Sequence, residues 1–354
     1  MNTEQKSPDA DGAAKASSGR FPLLIAGLIA LIIIAFFTAI CVGRYKITVP
    51  EVLRIFGARL GIAADSVTAD KKAEGVIFTL RLPRTIGALL VGGALALSGA
   101  AYQGVFKNPL VAPDLLGVSS GACVGAATAI LLNMNSFGVQ SMAFIMGIVT
   151  VGLTMVIPRL LKNSSMTMLV LSGVIVKGIM DSLLGIIKYL ADPETQLASI
   201  TYWLMGSLTK VLTSDLWAIG PVIVAGSVII ILLRWRINIL SLGDNEAKAL
   251  GVNIKVVRGV IILCSTLMTA CAVCLCGTIG WVGLVIPHLS RIVAGQDNTR
   301  SIPVSFLMGA IFMVLIDTLS RVLTATEIPL SILTGIIGAP FYIMVLTGQR
   351  MKLT

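Results

Sequence analysis

Ten stretches of the chain are too apolar and too long for the interior of a soluble domain: residues 21–42, 85–106, 115–132, 142–161, 166–190, 216–233, 256–276, 281–294, 302–323 and 328–347. A helix needs about 20 apolar residues to cross the hydrocarbon of a bilayer. In lipid every backbone N–H and C=O must be satisfied internally, which leaves helical bundles and closed barrels. A barrel would show alternating strands of about ten residues, and the chain has none. The sequence therefore predicts an all-α integral membrane protein with ten transmembrane helices, embedded in a lipid bilayer. Composition agrees: 56% of the 354 residues are hydrophobic, 12% are charged and the mean hydropathy is +0.94. The 35 glycines suit helices whose backbones approach closely. The eighth stretch, WVGLVIPHLSRIVA, is short and interrupted by Pro287, and is the weakest of the ten.

Charge orients the bundle. With ten crossings both termini share one side, which then collects Lys6, Lys15, Arg20, Lys107, Arg159, Lys162, Arg234, Arg236, Lys248, Lys255, Arg258, Arg291, Arg300, Arg350 and Lys352. The other side receives Lys188, Lys210 and Arg321 outside one long connection. The positive-inside rule makes the termini cytoplasmic, in a multi-pass cytoplasmic (inner) membrane protein. Dropping the eighth crossing would move Arg350 and Lys352 to the wrong face. The long connection, residues 43–80, is external, and its VLRIFGARLGI has helical spacing suited to an amphipathic helix near the membrane surface. Residues 1–20 read as a disordered cytoplasmic tail, and residues 21–354 as the ten-helix transmembrane domain. The run 21–42 exceeds the core of a signal peptide, about 7–15 residues, and is expected to remain as the first span.

Several chemistries are excluded. The net charge of +10 is scattered at the ends of apolar runs and forms no basic stripe for nucleic acid. There is one histidine, His288, and no His-Glu-x-x-His; no Gly-Lys dipeptide exists, so the phosphate loop of an ATPase is missing. The cysteines of CAVCLCG (271–277) have no second pair and no nearby histidine, and read as small apolar filling. No catalytic set, metal site or cofactor is expected.

Two features resist a purely apolar reading. The first is a polar island, LGDNEAKALGVNIKVVRG (242–259), set between two spans within segment 238–255. Gly243 and Gly251 supply a start and a stop for a short helix. Asp244 and Glu246 suit its first turn, and Asp244 can pair with Lys248 at i, i+4. Ala247, Leu250 and Leu242 give it a small apolar face. It is either a solvated loop helix or a helix seated in the groove of a soluble partner. The second feature is Lys177 with Asp181 in LSGVIVKGIMDSLLGIIKYL, too deep in a span for easy snorkelling. At i, i+4 they can form an internal ion pair, or they can face a polar route.

RLPRTIGALLVGGALALSGAAYQGVFKNPLVAPDLLGVSSGA (81–122), YWLMGSL (202–208), LGDNEAKALGV (242–252), GTIGWVGLVIPHLSRIVAG (277–295) and EIPLSILTGIIGAPFYIMVL (327–346) together resemble the FecCD-type permease family. That resemblance implies the membrane subunit of an ABC importer for iron-siderophores, haem or cobalamin. It implies ten helices, a second permease copy, two ATPase subunits and an external binding protein. It makes the segment matching Leu242–Val252 the coupling helix in the ATPase cleft, with Gly243, Asp244, Glu246, Ala247, Leu250 and Gly251 as its residues. It makes Arg81, Arg84 and Arg321 contacts for acidic residues of the binding protein, against interfacial anchoring or, for Arg321, neutralisation by Asp317. It puts Gly335 and Gly338 in a helix that lines the route together with the span of Lys177 and Asp181. Small apolar residues are the family pattern at those last two positions, so the pair departs from it. The leading reading is an iron(III)-siderophore or related metal-chelate permease powered by separate ATPases, with haem or cobalamin import as the alternative. An ion-coupled secondary transporter using Lys177 and Asp181 as a proton relay is the reading of another class.

Overall fold

The computed structural model describes residues 8–43, 45–59, 71–163 and 165–350, with side chains from 21 to 344. Among them there is no strand. In chain order the helices are α1 (Pro8–Cys41), α2 (Val49–Arg59), α3 (Lys71–Gly75), α4 (Leu82–Phe106), α5 (Val118–Leu131), α6 (Ser136–Leu160), α7 (Met166–Leu190), α8 (Gln196–Leu204), α9 (Thr213–Leu242), α10 (Asp244–Ala249), α11 (Ile254–Cys276), α12 (Val282–Ala294), α13 (Asn298–Val322) and α14 (Leu330–Arg350). A wide helical turn, Val76–Arg81, leads from α3 into α4, and a tight one, Pro113–Leu116, precedes α5.

An apolar helix stands in each of the ten runs marked in the sequence. Seven are long and apolar enough to cross a membrane, while α5, α12 and α14 are shorter. Pro287 is accommodated inside α12. Helix α1 begins at Pro8, within the segment read as a tail. Residues 8–20 are rich in alanine, and extending a formed helix avoids the cost of nucleation. Residues 1–7 lie outside the described residues.

α4 is the axis of the bundle. In its apolar window 83% of residues are buried, against 17% in α1, 22% in α7 and 28% in α6 and α9, which form the perimeter. Small residues make the centre possible. A Cβ on Gly99 of α4 would lie 1.9 Å from the Gly283 carbonyl of α12, and one on Gly92 would lie 2.2 Å from the Gly309 carbonyl of α13. Only glycine permits such backbone contact. The amphipathic helix expected in the external connection is α2, whose Val52 and Ile55 pack with Ile40, Ile47, Ala73 and Ile77.

Candidate functional site

The polar island folds as a short helix clamped at both ends. The backbone of Gly243 is extended at φ 160° and ψ 157°, and a Cβ there would sit 1.7 Å from Glu246 Oε2. The Glu246 carboxylate therefore folds back over the glycine at the start of α10. At the other end Gly251 adopts φ 74°. Its N–H donates to the Lys248 carbonyl at 2.9 Å and the Val252 N–H donates to the Ala247 carbonyl at 3.0 Å. That paired arrangement is a helix stop in which glycine alone avoids a Cβ penalty. The Asn253 side chain then accepts the Val256 N–H at 3.2 Å and opens α11.

Two details differ from the sequence reading. Asp244 pairs with Arg258 of α11 at 3.0 Å, not with Lys248. Ala247 is fully buried among Ile237, Leu240, Ile254 and Val257, so it anchors the helix to its own chain and offers nothing to a partner. The reason is tertiary: α9 and α11 flank the short helix, and Ala247 lies on the side that meets them. What projects outward is Asn245, Glu246 and Lys248 with Leu242 and Leu250, 66% and 59% exposed.

The three arginines read as contacts for an external partner are buried, at 5%, 7% and 8% exposure for Arg81, Arg84 and Arg321. Each is used within the chain. Arg81 donates to the carbonyls of Ile40, Cys41 and Tyr45, capping the end of α1. Arg84 donates from Nε to Asp317 at 2.8 Å and places its fork on Glu327, with both contacts at 2.9 Å. Arg321 reaches Asp317 at 3.4 Å and the Ala39 carbonyl at 3.1 Å. Thr209 donates to Glu327 at 2.8 Å. An unpaired buried charge costs several kcal/mol, about 3–5 when one partner is removed, so satisfied arginines at span ends recruit internal carboxylates. Partial burial pushes the Glu327 carboxyl up, but the Arg84 hydrogen bonds and charge, with Thr209, hold it below its ordinary value of 4.5. The geometry makes these residues a brace joining α1, α4, α13 and the loop before α14.

Lys177 does not pair with Asp181. Its Nζ lies 3.3 Å from Asp114 Oδ2, in the turn between α4 and α5. This connection folds back into the bundle. Gln103 donates to the Val111 carbonyl at 3.1 Å, Pro113 packs where Gly283 lacks a Cβ, and the Leu115 carbonyl lies 2.3 Å from the Cβ position of Gly173 on α7. Non-helical backbone at membrane depth is tolerated where protein covers it or water reaches it. Asp114 also accepts the Ser119 N–H at 2.7 Å through its other oxygen, which opens α5. Asp181 is exposed one turn along α7.

Gly335 and Gly338 receive the Trp281 side chain: Cβ atoms there would lie 3.7 Å from its Nε1 and 2.7 Å from its Cβ. They are a seat for this residue, which sits at φ 70°, a left-handed conformation unfavourable for a bulky side chain. Asp114, Glu327 and Trp281 escaped the sequence reading. A signal existed for the first: Asp114 is the only carboxylate between residues 75 and 180.

The model of the FecCD transport family matches residues 31–348. The molybdate import system permease protein of Haemophilus influenzae is 39% identical over 323 residues, covering 91% of this chain and 94% of that one. The hemin transport system permease protein of Yersinia pestis is 35% identical over 280 residues, 77% of this chain and 83% of its own. A solved chain described as a metal-chelate type ABC transporter in an inward-facing conformation superposes with a TM-score of 0.83 at 38% identity, covering 93% of this chain and all of that one.

Proposed function

The chain belongs to the FecCD transport family, and from that premise we propose that it is a ten-helix gate moved by a separate ATPase gripping the outward face of α10. It is an ABC importer permease, a multi-pass membrane protein whose relatives leave ATP hydrolysis to a partner subunit. The observation that carries the coupling role is the clamped geometry of α10. Buried Ala247, the Asp244–Arg258 pair and the Gly251 stop tie it to α9 and α11. A push on the exposed Leu250 and Glu246 face is therefore passed to two long helices, whereas a loosely tethered loop would absorb it. Both termini are cytoplasmic in this reading, which puts α10 on the ATPase side.

An external binding protein and a second copy of the permease complete the importer. Arg81, Arg84 and Arg321 act in it as the brace beneath the docking surface, because their guanidinium groups are already engaged. The cargo we assign is a metal in coordinated form, an iron(III)-siderophore or a related chelate, with haem and cobalamin as alternatives. Molybdate, named for a relative at 39% identity, widens the class to a metal oxyanion.

Cysteine at Asn245 tests the coupling role. It should crosslink to a co-purified ATPase subunit, and the crosslink should change with nucleotide; a cysteine that reacts only from outside the cell ends the proposal. The ion-coupled alternative is tested by an uncoupler, which should leave ATP-supplied uptake intact.

A further inference from the structure

On a helical projection of α7 at 100° per residue, Lys177, Gly178, Asp181, Ser182, Gly185 and Lys188 fall on one face, which the exposed Val174 and Leu171 continue as apolar surface toward the Met166 end. Beside it runs an apolar face of Ile175, Ile179, Leu183 and Ile186, all at least 40% exposed. The third face, Val176, Met180, Leu184 and Ile187, packs on Val124 and its neighbours. A helix set between protein and lipid needs two kinds of face, and this one has three. The polar face is open, since Cβ atoms on Gly178 and Gly185 would meet nothing within 4 Å.

Lys177 lies about 16 Å from the Met166 end of α7 and about 20 Å from the Leu190 end, at about 1.5 Å per residue. An ionised group at that depth faces water or protein, not hydrocarbon. Its exposure decides how much of it is committed: the side chain is 49% exposed although it touches Asp114. An ammonium has three donors, and Asp114 takes one. Asp114, in contrast, is also held by the Ser119 N–H at the start of α5, so it stays satisfied if Lys177 turns away. The mobile, uncommitted charge of the pair is the positive one.

The family resemblance puts this span beside the cargo route, and we propose that Lys177 is the anion contact of its water-filled polar face. An anionic oxygen of the cargo takes Lys177 over from Asp114, and Asp114 takes it back after the cargo has passed. Asp181, one turn further toward the Lys188 end, opposes anions and limits how long they stay. The cargo class this selects is a metal oxyanion or a chelate with free carboxylate or other anionic oxygens. The inference rests on the permease reading above, and deepens it by assigning a charge to what is carried.

The test needs no knowledge of the cargo. Ser182→Cys is introduced into the full chain, reconstituted with its partner subunits in membranes without nucleotide. It is labelled in parallel by two small methanethiosulfonate reagents, one bearing a sulfonate and one a trimethylammonium group. Both should react, and the ratio of anionic to cationic rates should fall about tenfold when Lys177→Met is added, as one unit charge at several ångströms in a partly dry site allows. It should rise when Asp181→Asn is added instead. Lys177→Arg should keep the parent ratio. If Lys177→Met disturbs folding, Lys177→Gln removes the positive charge while its amide can still donate to Asp114, and should lower the ratio in the same way. No labelling by either reagent, or a ratio indifferent to Lys177, overturns the proposal. Failure of the coupling role would appear in the Asn245→Cys crosslink and leave this ratio untouched.

Discussion

Replacing Arg84 by methionine separates bracing from docking. The side chain is 8% exposed and makes three charge-assisted contacts, one with Asp317, itself 1% exposed, and two with Glu327. Removing one partner of a buried ion pair costs about 3–5 kcal/mol, most of it from the charge left behind. Two features move the expectation to the lower end. Arg321 still stands 3.4 Å from Asp317, and Glu327, 27% exposed, can recover water. We therefore expect a loss of about 3 kcal/mol, most of it at Asp317. Adding Asp317→Asn should restore part of it, because the charge short of a partner is neutralised while the amide oxygen can still accept from Arg321. The assay is unfolding of the purified protein in mixed micelles, run as a double-mutant cycle. Unchanged stability in Arg84→Met with lost capture of the external binding protein would refute the brace and return Arg84 to the docking surface. An additive cycle would refute the pairing with Asp317.

Other expectations follow from the same geometry. Glu327 sits outside the spans with its carboxyl held below 4.5, so the stability it contributes is complete above that pH and is lost as pH falls through the lower folded value. Thermal unfolding should therefore steepen its pH dependence below about 4.5, and Glu327→Gln should flatten it. Leu250→Asp should leave the protein folded while weakening pull-down of the ATPase, whereas Ala247→Trp should lower the yield of folded protein, because Ala247 is buried in its own chain. Gly99→Ala should destabilise by about 1–3 kcal/mol, the usual range for overpacking, since its Cβ would lie 1.9 Å from the Gly283 carbonyl; unchanged unfolding would mean that α4 and α12 separate easily.

What could be read from the sequence was local. The ten apolar runs, the amphipathic α2 and the glycine bounds of α10 each depend on neighbours a few residues away, and all reappear in the structure. The missed features are long-range. Lys177 had Asp181 at i, i+4, and nothing local indicated that the turn at Asp114 enters the bundle and takes the lysine instead. Arg84 and Glu327 are 243 residues apart in the chain, so the fork between them became visible only when α4 met the loop before α14. Ala247 was assigned to the wrong side of a two-turn helix, because so short a segment shows its apolar stripe but not which neighbour the stripe meets.

A passive gate driven through α10 by a nucleotide-powered partner moves cargo only when that partner is present. The direct test is cargo accumulation in liposomes carrying the permease, with and without its ATPase and binding protein, with ATP present. Accumulation should require all components and disappear with Leu250→Asp. Uphill uptake by the permease alone, driven by an ion gradient, would contradict the account.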